Sequence, residues 1–332
     1  DRAHMRLPPS HNALIEAIAE VRPETVVVLS NGSPVEMPWI DKVPAILEAY
    51  LAGQAGSLAI ADVLTGSVNP SGKLAESFPR RIEDTPCFLH FPGNRERTEY
   101  REGVFVGYRH YDSTKSAVLF PFGHGLSYTT FTYSDLIVSA SGDAEGPVTA
   151  SVTVTNTGKR AGKETVQFYV SPRNREVPRP EQELKAFAKV SLKRGESVRV
   201  SVTLGSRAFS WYDADSASWR VSPGDYEIRA SSSSRDRRLA AEVTLTGTPR
   251  AKRSWKRTDT LSDILLYPEF RNEADEVLAY ARKLFEGSAD PGSPEAIMNE
   301  TMFREMPLRG LAQFGGPEGD ALLKRILERL NR

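Results

Sequence analysis

Apolar and polar positions along this chain change their period twice. From His11 to Val21 (HNALIEAIAEV) the apolar residues Leu14, Ile15 and Ile18 recur at helical spacing. Ser10 stands in the N-cap position behind Pro8 and Pro9. Thr25–Leu29 (TVVVL) is a continuous β-branched run, the pattern of a strand buried on both faces. The turn Ser30–Pro34 (SNGSP) follows, then expected helices over Pro38–Tyr50 and Ser57–Leu64. Helix, buried strand, loop and helix in this order predict an α/β layer with a mostly parallel sheet. From Phe131 to Leu245 the period is two. Val148, Ala150, Val152 and Val154 alternate with polar residues, as do Val166, Phe168 and Val170, and Val198, Val200, Val202 and Leu204. Turn signals at Asn156–Gly158, Lys193–Gly195 and Ser222–Asp225 separate the runs, and about seven short strands predict a β-sandwich. Beyond Leu245 the helical period returns over Thr260–Leu266, Asn272–Phe285, Glu295–Phe303 and Asp320–Leu330. Leu322, Leu323, Ile326, Leu327 and Leu330 form a packing stripe on the last of these.

Between the two large regions lies Tyr100–Phe131, dense in Tyr, Phe and Gly. Each buried ring contributes roughly 1.5–3 kcal/mol, so this stretch reads as a packed joint, with Tyr108, Tyr111, Phe120 and Phe122 locking two domains together. Gly123 and Gly125 bracket His124 and indicate a backbone course needing positive φ or close approach. Arg80–Glu99 is polar and broken by Pro86, Pro92 and Gly93, a long loop able to fold over a cleft. The expected division is residues 1–125 as the α/β part with the joint, 126–247 as the sandwich, and 248–332 as a basic linker and helical tail.

Composition narrows the function classes. The chain has 332 residues with Lys+Arg and Asp+Glu both 43, so bulk charge favours neither nucleic acid nor an anionic membrane as a partner. No apolar run is long enough to span a bilayer. One cysteine, Cys87, permits no internal disulfide and leaves the compartment open. His4, His11, His90, His110 and His124 show no metal-ligand spacing, and Cys87 sits in no cysteine-hydrolase signature. Ser30–Pro34 lacks the frame of a nucleophile elbow and of a phosphate loop. Its Asn31 and Ser33 are candidates to face a cleft at the strand ends, though Gly32 and Pro34 account for the turn without any ligand. Glu99 and Glu102 are a possible carboxylate pair, or else ion-pair partners of Arg97, Arg101 or Arg109. Trp211, Tyr212 and Trp219 read as core and interface aromatics rather than a carbohydrate platform, and the sandwich is expected to bind no polysaccharide alone.

GYRHYD (Gly107–Asp112) followed by FPFGHGLSYTTF (Phe120–Phe131) resembles the joint of family 3 glycoside hydrolases, the β-glucosidase family. Gly53–Pro79, with Asn69-Pro70-Ser71-Gly72-Lys73-Leu74, is similar to that family's signature at the end of its α/β sandwich domain, with Ala55 where the family often carries Glu. Leu184–Ser197 and Ser222–Ser234 resemble its fibronectin type III-like domain, and Met306–Gly316 resembles tails of some bacterial members. The resemblance implies a partial α/β sandwich domain, an all-β immunoglobulin-like or fibronectin type III-like sandwich and a helical tail. It implies a retaining exo-acting β-glycosidase, with β-glucosidase first and β-xylosidase or a related exo-glycosidase as the alternative, acting on a β-linked glucoside or oligosaccharide. No metal or cofactor is implied. A family nucleophile Asp would sit on a barrel domain of the same enzyme that is missing here, and the acid/base Glu would lie just before the Asp-Arg pair, here Asp1–Arg2. Catalytic residues are therefore expected upstream of Asp1, this chain alone is expected to be inactive, and Asp1 and Arg2 are the only residues placed beside the substrate, with a purely structural salt bridge as the alternative for the pair. The rival from another class is a non-catalytic carbohydrate-binding or adhesion protein.

Overall fold

The computed structural model describes residues 3–94, 96–174, 177–214, 216–249, 254–284 and 293–331. Two compact units divide the chain, residues 1–249 and 250–332.

The first unit opens with α1 (Pro9–Val21), which begins a residue before the expected cap: Pro8 flanks it without a side-chain bond and Ser10 lies inside the helix. β1 (Val26–Leu29) and β2 (Ala45–Glu48) pair in parallel, Val26 opposite Ala45 and Leu29 opposite Glu48. β2 replaces the helix expected over Pro38–Tyr50, of which only a 3₁₀ turn at Ile40–Lys42 forms. Pro44 is the cause, because it biases the preceding residue away from helix, and Val43 is extended at φ −124°, ψ 137°. The pairing with β1 then outweighs local helical spacing. β1 also departs from expectation by burying one face only. Val27 and Leu29 join Val35, Met37, Trp39 and Phe78 in a core, while Val26 is 45% and Val28 38% exposed. α2 (Gly56–Thr65) ends at Gly66 in the left-handed region (φ 76°), as its turn signal predicts.

After the Asn-Pro-Ser-Gly turn only β3 (Phe78–Pro79) pairs, with β4 (Val118–Phe120). Leu74 instead exchanges backbone bonds with the joint, donating to the His124 carbonyl at 2.8 Å and accepting from Gly123 at 2.7 Å. The Arg80–Glu99 loop contains a 3₁₀ turn, Ile82–Asp84. α3 (Tyr108–Thr114) is the helix of the joint.

The sandwich has two antiparallel sheets. One orders β5 (Phe131–Ala140), β6 (Val148–Asn156) and β9 (Ser197–Leu204). The other orders β13 (Asp236–Leu245), β12 (Gly224–Ser233), β7 (Gly162–Pro172) and β8 (Glu183–Leu192). A small hairpin, β10 (Ser210–Asp213) with β11 (Ser218–Val221), stands beside them in the chain. The alternation does what it predicts: Val148, Ala150, Val152 and Val154 on β6 are fully buried, and Val166 and Phe168 on β7 face the same core. Asn156 closes β6 as a fully buried amide with all its bonds made. It accepts from Thr129 Oγ1 (2.7 Å) and Gly158 N (3.1 Å), and donates to the carbonyls of Arg160 (2.8 Å) and Leu192 (3.1 Å).

The second unit is helical: α4 (Leu261–Leu265), α5 (Arg271–Leu284), α6 (Pro294–Glu305) and α7 (Gly310–Leu330). Thr260 and Asp263 form a reciprocal capping box at α4. α7 is kinked where Gly316 (φ 58°) precedes Pro317, which explains why sequence spacing shows only its second half. The stretch expected as a solvated basic linker is partly core. Trp255 is buried among Leu261, Ile264, Leu323 and Ile326, and stacks edge-on with Tyr267 at 5.1 Å. Residues 250–253 of that linker, and Phe285 of the expected second tail helix, lie outside the described residues.

Candidate functional site

Two places gather polar side chains about backbone that the fold constrains. The first is the joint. Tyr108 on α3 stacks on Phe122 at 4.5 Å and meets Tyr169 of β7 edge-on at 6.0 Å. Its hydroxyl accepts from Leu184 N at 2.8 Å, so one ring ties the helix to β7 and β8. Tyr111 is buried, with burial pushing its hydroxyl up to about 12, the charges of Cys87 and Asp84 adding. Phe120 stacks on His124 at 5.3 Å. The joint expected from its aromatics is thus present, with Phe122 half-buried. Around it most polar groups are matched, with Arg109 Nε and Ser234 Oγ the buried exceptions. Gln167 donates to the carbonyls of Gly123 (3.1 Å) and Ser232 (2.7 Å). Arg235 holds Asp112 (3.0 Å) and the carbonyls of Tyr111 (3.0 Å) and Ser116 (2.7 Å). Lys73 donates to Gly125 O at 2.9 Å and lies 3.4 Å from the buried Glu164, which accepts from Tyr133 at 2.9 Å. Asn69, in the Asn-Pro-Ser-Gly turn, accepts from Ser127 Oγ (2.9 Å) and Tyr128 N (2.8 Å) and donates to Ala161 O (2.9 Å). That turn is therefore a clasp between the α/β part and the sandwich. Burial and the nearby Lys73 charge lower the His124 pKa, which suits a neutral ring in a packing role.

On the outer face of β12 sits a buried charge network that sequence reasoning missed. Glu227 accepts from Arg229, Arg173 and Arg237 (3.2 Å for the last). Arg229 in turn reaches Gln182 (2.9 Å) and Glu181 (3.1 Å). Burial alone would raise the Glu227 pKa, but the three guanidinium groups outweigh it and hold the carboxyl below its ordinary value. A depressed folded-state pKa contributes stability above the unfolded value of about 4.3, and that stability is lost as pH falls through the folded value. Acid unfolding of Glu227→Gln followed by circular dichroism is thus expected to show a flatter pH dependence below about pH 4 than the parent, with lower stability at neutral pH. Superimposable curves would show the network to be energetically idle.

The second place is the carboxyl end of β1 and β2, where parallel sheets present ligand-facing loops. Asn31 is here, donating to Ser33 O at 2.7 Å. Glu48 ends β2, and Tyr50 follows with φ 47°, a left-handed geometry uncommon for a ring-bearing residue. Ser30 Oγ donates to Tyr50 O (3.1 Å), and Tyr50 OH to Glu76 (3.2 Å). Sequence reading pointed to Asn31 and Ser33 but not to Glu48, because an expected helix concealed the strand end.

Other candidates disperse. Asp1 and Arg2 lie outside the described residues. Glu99 pairs with Arg101 (2.6 Å) and Arg97 (3.3 Å), the ion-pair reading. Glu102 makes no ion pair among the described residues, and its Oε2 is buried without a hydrogen bond. Of the aromatics expected as core and interface residues, Tyr212 (51% exposed) and Trp219 (47% exposed) are not core. They meet edge-on at 5.2 Å on the β10–β11 hairpin, and Arg207 covers Trp219 at 3.2 Å. Trp211 is partly buried and donates to Ser222 Oγ at 2.9 Å. Among the described residues no group of three or more His, Cys, Asp or Glu is arranged to hold a metal ion. No helix among them is long and apolar enough to cross a membrane.

An α/β layer clasped through an aromatic joint onto a seven-stranded sandwich is the class of protein this fold defines. Residues 1–128 match the Glycosyl hydrolase family 3 C-terminal domain, and residues 164–234 the Fibronectin type III-like domain. The chain belongs to glycoside hydrolase family 3 and carries these C-terminal domains. It is 44% identical over 100% of its length to thermostable beta-glucosidase B of Acetivibrio thermocellus, covering 44% of that protein. It is 38% identical to an exo-alpha-(1->6)-L-arabinopyranosidase of Bifidobacterium breve, with 99% of this chain and 42% of the relative aligned. Among solved structures, the GH3 beta-glucosidase of Bifidobacterium adolescentis superposes with TM-score 0.78 and 41% identity, over 82% of this chain and 40% of that one. The beta-glucosidase of Kluyveromyces marxianus in complex with glucose gives TM-score 0.71 and 40% identity, over 75% of this chain and 30% of that one. The chain thus spans less than half the length of the relatives it matches.

Proposed function

We propose that this chain works as the C-terminal portion of a retaining, exo-acting β-glucosidase that hydrolyses terminal β-linked sugars. The observation that carries the reading is the 44% identity along the whole chain to a protein named as a beta-glucosidase. A retaining mechanism needs two carboxyl groups about 5–5.5 Å apart, one as nucleophile and one as acid/base. Neither is assigned to a residue of this chain; both belong to a remainder of the enzyme that includes a barrel domain. Asp1 and Arg2 are this chain's contribution beside the sugar. Residues 1–125 supply a wall of the cleft, 126–247 a rigid support, and 248–332 a linker and helical tail. The exposed apolar side chains of Val26 and Val28 on β1, and of Leu14, Ile18 and Val21 on α1, support the reading as apolar surface on which the rest of the enzyme packs. The relative named as an arabinopyranosidase favours a second reading, a related exo-glycosidase of another sugar specificity.

The test assays the purified chain, and a longer protein joining it to a family barrel domain, on aryl β-glucosides, aryl β-xylosides and cellobiose. The chain alone is expected to give no turnover, and the longer protein to prefer the glucoside. Turnover by the chain alone would overturn the reading and direct mutation first to Glu99 and Glu102.

A further inference from the structure

At the start of β8, beside the joint, three cations converge on one carboxylate. Glu183 lies 3.3 Å from Arg109 of α3, 3.7 Å from Arg179 and 3.2 Å from Lys185. Glu183 and Lys185 stand two positions apart, on one face of the strand. Three positive charges against one negative leave an excess of two. On β12, by contrast, Arg173, Arg229 and Arg237 meet Glu181, Glu227 and Glu242. Among the described residues no second acidic side chain pairs with Arg109, Arg179 or Lys185. Charge drawn out of water without a counterion is costly, and this cluster is partly withdrawn: Arg179 is buried, Lys185 is 18% exposed and Arg109 34%.

The donors differ in what they have left to give. Arg179 is committed, donating to the carbonyls of Phe209 (2.9 Å) and Ser210 (3.3 Å). Arg109 lies over the Tyr108 ring, 5.9 Å from its centroid, and Tyr108 is tied to β8 through Leu184 N. The Arg109 Nε is buried and unpaired, so its terminal nitrogens are the part open to a ligand. Lys185 has Glu183 as its one ionic partner among the described residues, and an ammonium group carries more N–H donors than that contact uses. The local field agrees. Burial lowers the Lys185 pKa, Glu183 works against that fall, and Arg179 and Arg109 add to it.

We propose that Arg109 and Lys185, backed by Arg179 and held together by Glu183, form a binding site for a phosphate dianion, free or as a monoester. A phosphate group carries about −1.5 to −2 charges near neutral pH and several acceptor oxygens, which matches the excess of two and lets one ion reach a guanidinium and an ammonium together. A lone carboxylate would leave one of those charges uncompensated. Phosphate binding here does not rest on the catalytic reading.

Isothermal titration calorimetry of the whole chain with inorganic phosphate, and with phenyl phosphate as the monoester, tests this near neutral pH at an ionic strength held constant with sodium chloride. Tm is read with and without each ligand. Millimolar or tighter binding with a rise in Tm is expected. Lys185→Gln and Arg109→Gln are each expected to weaken binding by about tenfold or more, the loss of one charge-assisted contact. Lys185→Arg is expected to retain it, and Lys193→Gln, the same change of charge at an exposed turn, to leave it unaltered. K185Q is expected to fold in phosphate-free buffer, because Glu183 keeps both arginines, and circular dichroism checks this; R109Q carries the same test if K185Q does not fold. Tighter binding of the ester assigns an organic phosphate as the ligand, and equal or weaker binding assigns free phosphate. Neither heat nor a Tm shift with either compound, or a Kd unchanged in both K185Q and R109Q, would overturn the proposal. So would loss of binding when the chain is joined to a barrel domain, since an acidic side chain would then fill the cluster.

Discussion

Trp39→Ala is expected to destabilise the first unit by about 3–5 kcal/mol, the range for truncating a large buried aromatic. Trp39 has no exposed surface and sits in the core with Val27, Leu29, Val35, Met37 and Phe78. This core is small, so the cavity has few neighbours able to collapse into it. The indole N–H also donates to Asn12 Oδ1 at 3.0 Å, the bond that pins α1 to the layer beneath. Truncation removes both at once. Hydrogen exchange of the β1 and α1 amides reads the result locally. Protection lost there and kept in β6 and β7 is the expected pattern, and unchanged protection on β1 would show that the core tolerates the void.

Gly125→Ala is expected to cost about 3 kcal/mol, at the upper end of overpacking, and to loosen the α/β part from the sandwich. A Cβ at Gly125 would stand 2.1 Å from the Gly72 carbonyl oxygen, and that oxygen is backbone within the Asn-Pro-Ser-Gly clasp. Neither side can yield without breaking the bonds of Leu74 to Gly123 and His124. Gly123 is constrained twice over: its φ is 79°, and a Cβ there would meet Gln167 Oε1 at 2.1 Å. Gly103, with positive φ but nothing within 4 Å, is the control, where alanine meets only backbone strain. Limited proteolysis between Leu126 and Thr130 checks the outcome. Faster cleavage in Gly125→Ala than in Gly103→Ala is expected, and equal rates would sink the account.

Elements whose burial depends on one local period were legible in the sequence. The valines of β6 alternate because one face of an antiparallel strand meets a core, and the fold buries them as the pattern requires. The density of rings and glycines over Tyr100–Phe131 likewise announced a packed joint, and its motifs placed the chain in its family. Neither β2 nor the second face of β7 and β12 could be read in that way. Ala45–Glu48 has no pattern that distinguishes strand from helix; the parallel register with β1 decides it. Glu227, Arg229, Ser231 and Ser233 look like the solvated side of an amphipathic strand, yet all are buried. Glu227 and Arg229 are held by charge partners brought from the turn after β7, from β13 and from the segment before β8, and the joint bonds to the far end of the same sheet. The same holds at Glu48, whose company of Asn31, Tyr50 and Glu76 is assembled from three separate segments. Period reports how a segment meets one neighbouring layer, and so the sequence determined the layers and the joint. Whether a polar face meets water or a second layer depends on residues far along the chain, and that only the tertiary structure decided.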